Sequence, residues 1–145
     1  MNYLDIVLPG SDDNVHSLRD FNGKKIVLYF YPKNNTPGCN LEAKDFTYLK
    51  SEYSKKGYMV IGVSRDTVKS HKNFIDKKEL DLLLLSDFEE KLSIAFDVIK
   101  EKLNFGKKYI GLVRSTFILD ENGKIIKEYR KVSAKNHAQE VLDYL

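Results

Sequence analysis

IVLYFYPKNNTPGCNLEAKDF, residues 26–46, decides how this chain is read. Its first five residues, Ile26 to Phe30, form a continuous apolar run rich in β-branched and aromatic side chains. Such a run predicts a strand buried on both faces of a sheet. Thr36 then stands before Pro37, and proline is best tolerated at the first position of a helix. Pro37 also biases Thr36 away from helical dihedrals, as an N-cap requires. A helix therefore follows, and Cys39 falls at about its third position. Ala43, Phe46, Leu49 and Tyr53 continue from Cys39 at spacings of three and four, so one apolar face faces the core. Strand, loop and helix make one half of a βαβ unit.

The rest of the chain repeats the pattern. Tyr58 to Val63 and Leu82 to Leu85 are further strand-length apolar runs. Ser115 to Leu119 and Lys124 to Tyr129 flank Asp120-Glu121-Asn122-Gly123, whose Asn-Gly is a hairpin signal. Helices are expected over Pro37 to Lys55, Thr67 to Lys77, Phe88 to Phe96 and Ala134 to Tyr144. The first two dozen residues suit a short hairpin turning near Gly10 to Asn14. This order predicts an α/β domain with a central mixed sheet, residues 1–145 forming one unit.

Composition narrows the function. The chain has 145 residues, 42% apolar and 31% charged, as in ordinary soluble domains. No apolar stretch reaches the roughly 18 residues of a membrane span, and the N-terminus lacks a signal-peptide pattern. A net charge of +3 comes with scattered lysines and no basic stripe, which argues against nucleic-acid binding. The chain holds one cysteine, so no intramolecular disulfide can form. A cytoplasmic location is the simplest expectation for a free thiol. There is no CxxC, which excludes a dithiol–disulfide oxidoreductase. His16, His71 and His137 are far apart in sequence and form no metal-ligand pattern. Each is expected on the surface, and neither a metal nor a cofactor is implied. No glycine-rich phosphate loop occurs.

Cys39 can be read in two ways. It ends the core-facing stripe, as a packed, inert cysteine would. It also lies in the first turn of a helix, where unpaired N–H groups and the helix dipole favour a thiolate.

The loop tips this balance. Pro32-x-x-x-Thr36-x-x-Cys39, within FYPKNNTPGC, resembles the active-site pattern of the peroxiredoxins, specifically the bacterioferritin-comigratory or Q-type branch. Val63-Ser64-Arg65-Asp66, the stretch Phe105 to Gly111 and Arg114-Ser115-Thr116-Phe117 extend the resemblance over nearly the whole chain. Phe105 to Gly111 is similar to the family's loop before its arginine strand. The resemblance implies a thioredoxin-like fold with an added N-terminal β-hairpin. It implies a thiol-dependent peroxidase in which Cys39 attacks a hydroperoxide and becomes a sulfenic acid. By the same resemblance Thr36 hydrogen-bonds the thiolate or peroxide, Arg114 stabilises the thiolate, Pro32 shields it and Glu42 supports Arg114. Considered alone, Glu42 is most simply a surface helix residue and Thr36 only a cap.

One departure matters. Many Q-type members carry a resolving cysteine five residues after the first, where this chain has Lys44. In an intact helix those side chains point about 140° apart and lie about 7.5 Å apart along the axis. With no second cysteine, the expectation is a one-cysteine mechanism in which an external thiol resolves the sulfenic acid: thioredoxin, glutaredoxin or a low-molecular-weight thiol. An intermolecular Cys39–Cys39 disulfide is the alternative and would need the loop exposed. A monomer is expected. A peroxide sensor with slow turnover, or a binding module with an inert Cys39, are the readings from other classes.

Overall fold

In a computed structural model describing residues 2–145, a five-stranded sheet forms the centre. Its strands are β3 (Lys25–Phe30), β4 (Tyr58–Ser64), β5 (Leu83–Ser86), β8 (Ser115–Leu119) and β9 (Ile125–Arg130), in the order β5-β4-β3-β8-β9. Strands β3, β4 and β5 run parallel, while β8 and β9 are antiparallel additions. The sheet is mixed, as expected. A small N-terminal hairpin, β1 (Leu8–Pro9) with β2 (Val15–His16), turns at residues 10–14.

Successive residues of β3 serve opposite faces, because side chains alternate along a strand. Val27 and Tyr29 point into a core shared with helices α1 (Pro37–Tyr48), α2 (Lys50–Lys55), α3 (Val68–Lys78) and α5 (His137–Tyr144). Ile26, Leu28 and Phe30 point into a second core, closed by the N-terminal segment and by α4 (Lys91–Ala95). The fold is thus the thioredoxin-like α/β arrangement that the resemblance implied. Gly62 lies opposite Tyr29 in the ladder. A Cβ there would come within 2.7 Å of Leu84 Cδ2 and 2.9 Å of Tyr29 Cζ, so only glycine leaves room for the ring.

Several boundaries differ from expectation. The helix expected over Pro37 to Lys55 kinks at Leu49 into α1 and α2. The helix expected over Phe88 to Phe96 shrinks to five residues, since Glu90 takes a left-handed φ of 64°. Asp87, fully buried, caps it by accepting from the N–H groups of Leu92 and Ser93 at 3.1 and 2.6 Å. The last helix begins only after Asn136, which is left-handed at φ 63°.

The stretch read as a loop before the arginine is a hairpin. Strands β6 (Ile99–Asn104) and β7 (Lys107–Leu112) pair around Phe105-Gly106, both at positive φ. Its strands are largely solvated and lack apolar alternation, which is why the pattern did not signal it.

Candidate active site

Strand β3 ends in the centre of the sheet, and the chain leaves through a loop whose bonds are nearly all specified. Tyr31 continues the ladder by donating its N–H to Val63 O at 3.0 Å. Asn34 donates its N–H to Asp66 Oδ2 at 2.9 Å, and Asn35 turns the chain at φ 60°. Thr36 is extended, and its carbonyl accepts the first helical bond, from Asn40, at 2.8 Å. Pro37 occupies the start of the helix, as expected.

Thr36 caps by its backbone only. Its hydroxyl does not reach a helical N–H; it donates to Lys33 O at 3.1 Å. Lying in the first helical turn, the Gly38 and Cys39 N–H groups have no backbone acceptor among the described residues, and the Thr36 side chain does not supply one. Pro32, half-buried, stands at the head of this loop.

Cys39 is 2% exposed, in a core with Tyr29, Tyr31 and Phe46. Arg114 reaches it from the junction of β7 and β8. One guanidinium nitrogen, Nη2, donates to Cys39 Sγ at 3.2 Å. The other, Nη1, donates to Glu42 Oε1 at 2.5 Å. The Arg114 carbonyl accepts from Val132 N–H at 2.9 Å, which fixes its backbone. Gly38 leaves space for the fork, since a Cβ there would lie 3.1 Å from Nη2. The structure therefore brings Cys39, Arg114 and Glu42 into one cluster, though residues 42 and 114 are 72 apart in sequence.

Glu42 is not a surface residue: its exposure is 0%. Its Oε2 has no hydrogen-bond partner among the described residues. Burial pushes its carboxyl up to about 7, against the opposing attraction of Arg114. For Arg114, burial favours losing the charge, but attraction to Glu42 and Cys39 outweighs it and the pKa rises.

The histidine expectation fails at two positions. His137 is buried between Thr116 Oγ1, at 2.8 Å, and Glu140 Oε1, at 2.9 Å. His71 is fully buried beneath the loop. Its Nε2 lies 3.0 Å from Leu85 O, so that nitrogen carries the proton. Its Nδ1 then accepts from Asn34 Nδ2 at 3.0 Å. Tyr31 donates its hydroxyl to Asn34 Oδ1 at 2.6 Å. Asn34, His71 and Asp66 thus anchor the segment leading to Cys39; sequence reading gave Asn34 no role, placed His71 on the surface and named Asp66 only within the resemblance at residues 63–66. Their separations of 32 to 37 residues leave no local pattern to find. Lys44, at the position of the absent resolving cysteine, is exposed. Phe105 and Tyr109 are exposed on the hairpin.

No group of three or more potential ligands is poised for a metal among the described residues. No helix among them is long and apolar enough to cross a membrane.

Comparison with known proteins agrees with this picture. The model of the AhpC/TSA family matches residues 2–128. Peroxiredoxin Bcp of Bacillus subtilis is 48% identical over 141 residues, covering 97% of this chain and 90% of its own. The solved Bacterioferritin Comigratory Protein of Xanthomonas campestris, described for its alkyl peroxide reduction activity, superposes with a TM-score of 0.93 at 44% identity. That match covers 98% of this chain and 90% of the other. A cysteine-to-serine mutant of Xylella fastidiosa PrxQ superposes at 0.94 with 40% identity, covering 99% and 91%.

Proposed function

This chain belongs to the AhpC/TSA family as a PrxQ/Bcp-type peroxiredoxin with a single cysteine, and from that membership we propose that Cys39, Arg114, Thr36, Pro32 and Glu42 form its peroxidatic centre. It is a thiol-dependent peroxidase with a 1-Cys mechanism, acting on a peroxide and depending on a thiol-based redox partner. The observation that carries the site assignment is the Arg114 fork, which holds Cys39 Sγ with one nitrogen and Glu42 with the other.

In the reaction the Cys39 thiolate attacks the distal oxygen of ROOH. The S–O bond forms as the O–O bond breaks, giving Cys39–SOH and RO⁻, which takes a proton to leave as ROH. Negative charge moves from sulfur to the leaving oxygen. Arg114, a fixed cation with several donors, can follow that charge without changing protonation. The free N–H groups of Gly38 and Cys39 offer donors to the peroxide oxygens. The Thr36 hydroxyl donates to Lys33 O yet keeps acceptor capacity, so it can receive the peroxide O–H. Pro32 contributes no N–H and excludes water from the approach. Glu42 holds Arg114 in place and is a positioning residue.

Recycling falls to an external thiol: thioredoxin, glutaredoxin or a low-molecular-weight thiol. The same reading carries a monomeric, single-domain, cytoplasmic enzyme. The test is a single-turnover mix of reduced protein with one equivalent of hydrogen peroxide, beside Cys39→Ser. Rapid peroxide loss with trapping of a sulfenic acid is expected only with Cys39. Loss no faster than that of a free thiol would overturn the assignment.

A further inference from the structure

Beside the active-site loop lies an open groove of about 520 Å³. One wall is the loop itself, at Lys33. The other is α3, which presents Lys69, Asn73 and Lys77 at successive spacings of four, a single line along the helix. Phe74, which belongs to the same core as Cys39, also lines it.

The charge in this groove is unbalanced. Lys72, on the same helix, is paired with Asp13 at 2.8 Å. Lys33, Lys69 and Lys77 take part in no ion pair among the described residues. The one acid in the lining is Asp66, and its Oδ2 already accepts from Asn34 N–H and from the Ser64 hydroxyl. Three cations therefore face one occupied carboxylate.

A thiol that resolves Cys39–SOH must approach a sulfur that is almost wholly buried. It needs a foothold other than its own sulfur, close to that position. Lys33, on one wall of the groove, accepts the Thr36 hydroxyl at its carbonyl, and Thr36 is the N-cap of the helix whose first turn holds Cys39. The groove and the thiol thus share one loop, residues 33–35 lining the groove and leading directly into the helix of Cys39.

We propose that this groove binds the carboxylates of an anionic low-molecular-weight thiol, the co-substrate that reduces Cys39. The inference rests on Cys39 being the peroxidatic residue and names the class of its reductant. The thiol RSH attacks Cys39–SOH, forming Cys39–S–SR and releasing water. A second RS⁻ attacks the outer sulfur, giving RSSR and the Cys39 thiolate. The oxidising equivalent comes from the peroxide, and two thiols supply the two electrons.

The test has a binding arm and a kinetic arm. In the first, reduced protein is titrated with S-methylglutathione, which carries the carboxylates but cannot react. Amide shifts at Lys33, Lys69 and Lys77 are expected, and are lost in Lys69→Glu/Lys77→Glu. In the second, protein oxidised by one equivalent of peroxide is mixed with glutathione, neutral 2-mercaptoethanol or cationic cysteamine. Rates are compared per thiolate.

Glutathione should lead by about tenfold at low salt, as electrostatic guidance allows, and the lead should shrink at high salt. The double variant should lose that lead while its own oxidation by peroxide is unchanged. No shifts at the groove, or equal rates for the three thiols, would overturn the proposal. Absence of sulfenic acid in the first mix would instead overturn the peroxidatic assignment, with the titration still deciding whether the groove binds the anion.

Discussion

Replacing Glu42 by glutamine tests which of two opposing effects controls the ion pair beneath Cys39. Arg114 lies 2.5 Å from Oε1 and favours the carboxylate. Complete burial, with Oε2 left without a partner, favours the neutral acid. Burial wins, and the carboxyl rises from 4.5 to about 7. At about 1.4 kcal/mol per pH unit, that difference is worth about 3 kcal/mol. Because the folded value lies above the unfolded one, the native state holds the extra proton. The stability it brings is complete below about pH 4.5 and is lost as pH rises through about 7. Glutamine keeps an acceptor for Arg114 but cannot titrate.

Urea unfolding of the reduced wild type and Glu42→Gln, from pH 4.5 to 8, sets this group apart, since groups outside the Cys39–Arg114–Glu42 cluster titrate alike in both. The stability of the wild type relative to the variant should fall by about 3 kcal/mol across the window. A constant difference would mean that Glu42 ionises like an exposed carboxylate. A difference that grows with pH would mean that Arg114 outweighs burial, and either result would refute the reasoning.

Arg114→Lys keeps the charge but loses the fork that spans Glu42 and Cys39, so the rate of peroxide reduction, read by stopped flow, should drop about 100-fold. Burial lowers the pKa of His71, more than its bond to Leu85 O and the nearby Asp66 raise it. The stability this histidine contributes should be present above about pH 6.5 and decline as pH falls below that. Protection of the Asn34 amide against hydrogen exchange, taken relative to its intrinsic rate at each pH, should fall over the same range, and His71→Gln should flatten both dependences. Gly62→Ala would force Leu84 and Tyr29 to shift, and thermal or urea melts should show a loss of about 1–3 kcal/mol.

Much of this molecule is legible in short stretches. The strands at residues 26–30 and 58–63 stand out because a strand buried on both faces is built of apolar side chains, and that at 115–119 by the Asn122-Gly123 turn that follows it. Thr36-Pro37 marks the start of α1, because proline removes an N–H that no helix start needs. The β6–β7 hairpin was not legible, because its exposed strands follow no burial pattern and only the turn at Phe105-Gly106 shapes them. The short α4 depends on Asp87 reaching forward to cap it, a contact that periodicity cannot register.

The site divides in the same way. The sequence by itself placed Cys39 in the first turn of a helix, required an external reductant by holding one cysteine, and resembled a peroxiredoxin from Pro32 to Cys39 and at Arg114. Tertiary structure alone decided that Glu42 is buried and that Arg114 divides its fork between Glu42 and Cys39. It also decided that Asn34 and His71 lock beneath the loop. The reason is physical: propensity and periodicity depend on neighbours along the chain. Ionisation and hydrogen-bond partnership depend on which distant groups share a low-dielectric interior, and only the folded sheet brings those together.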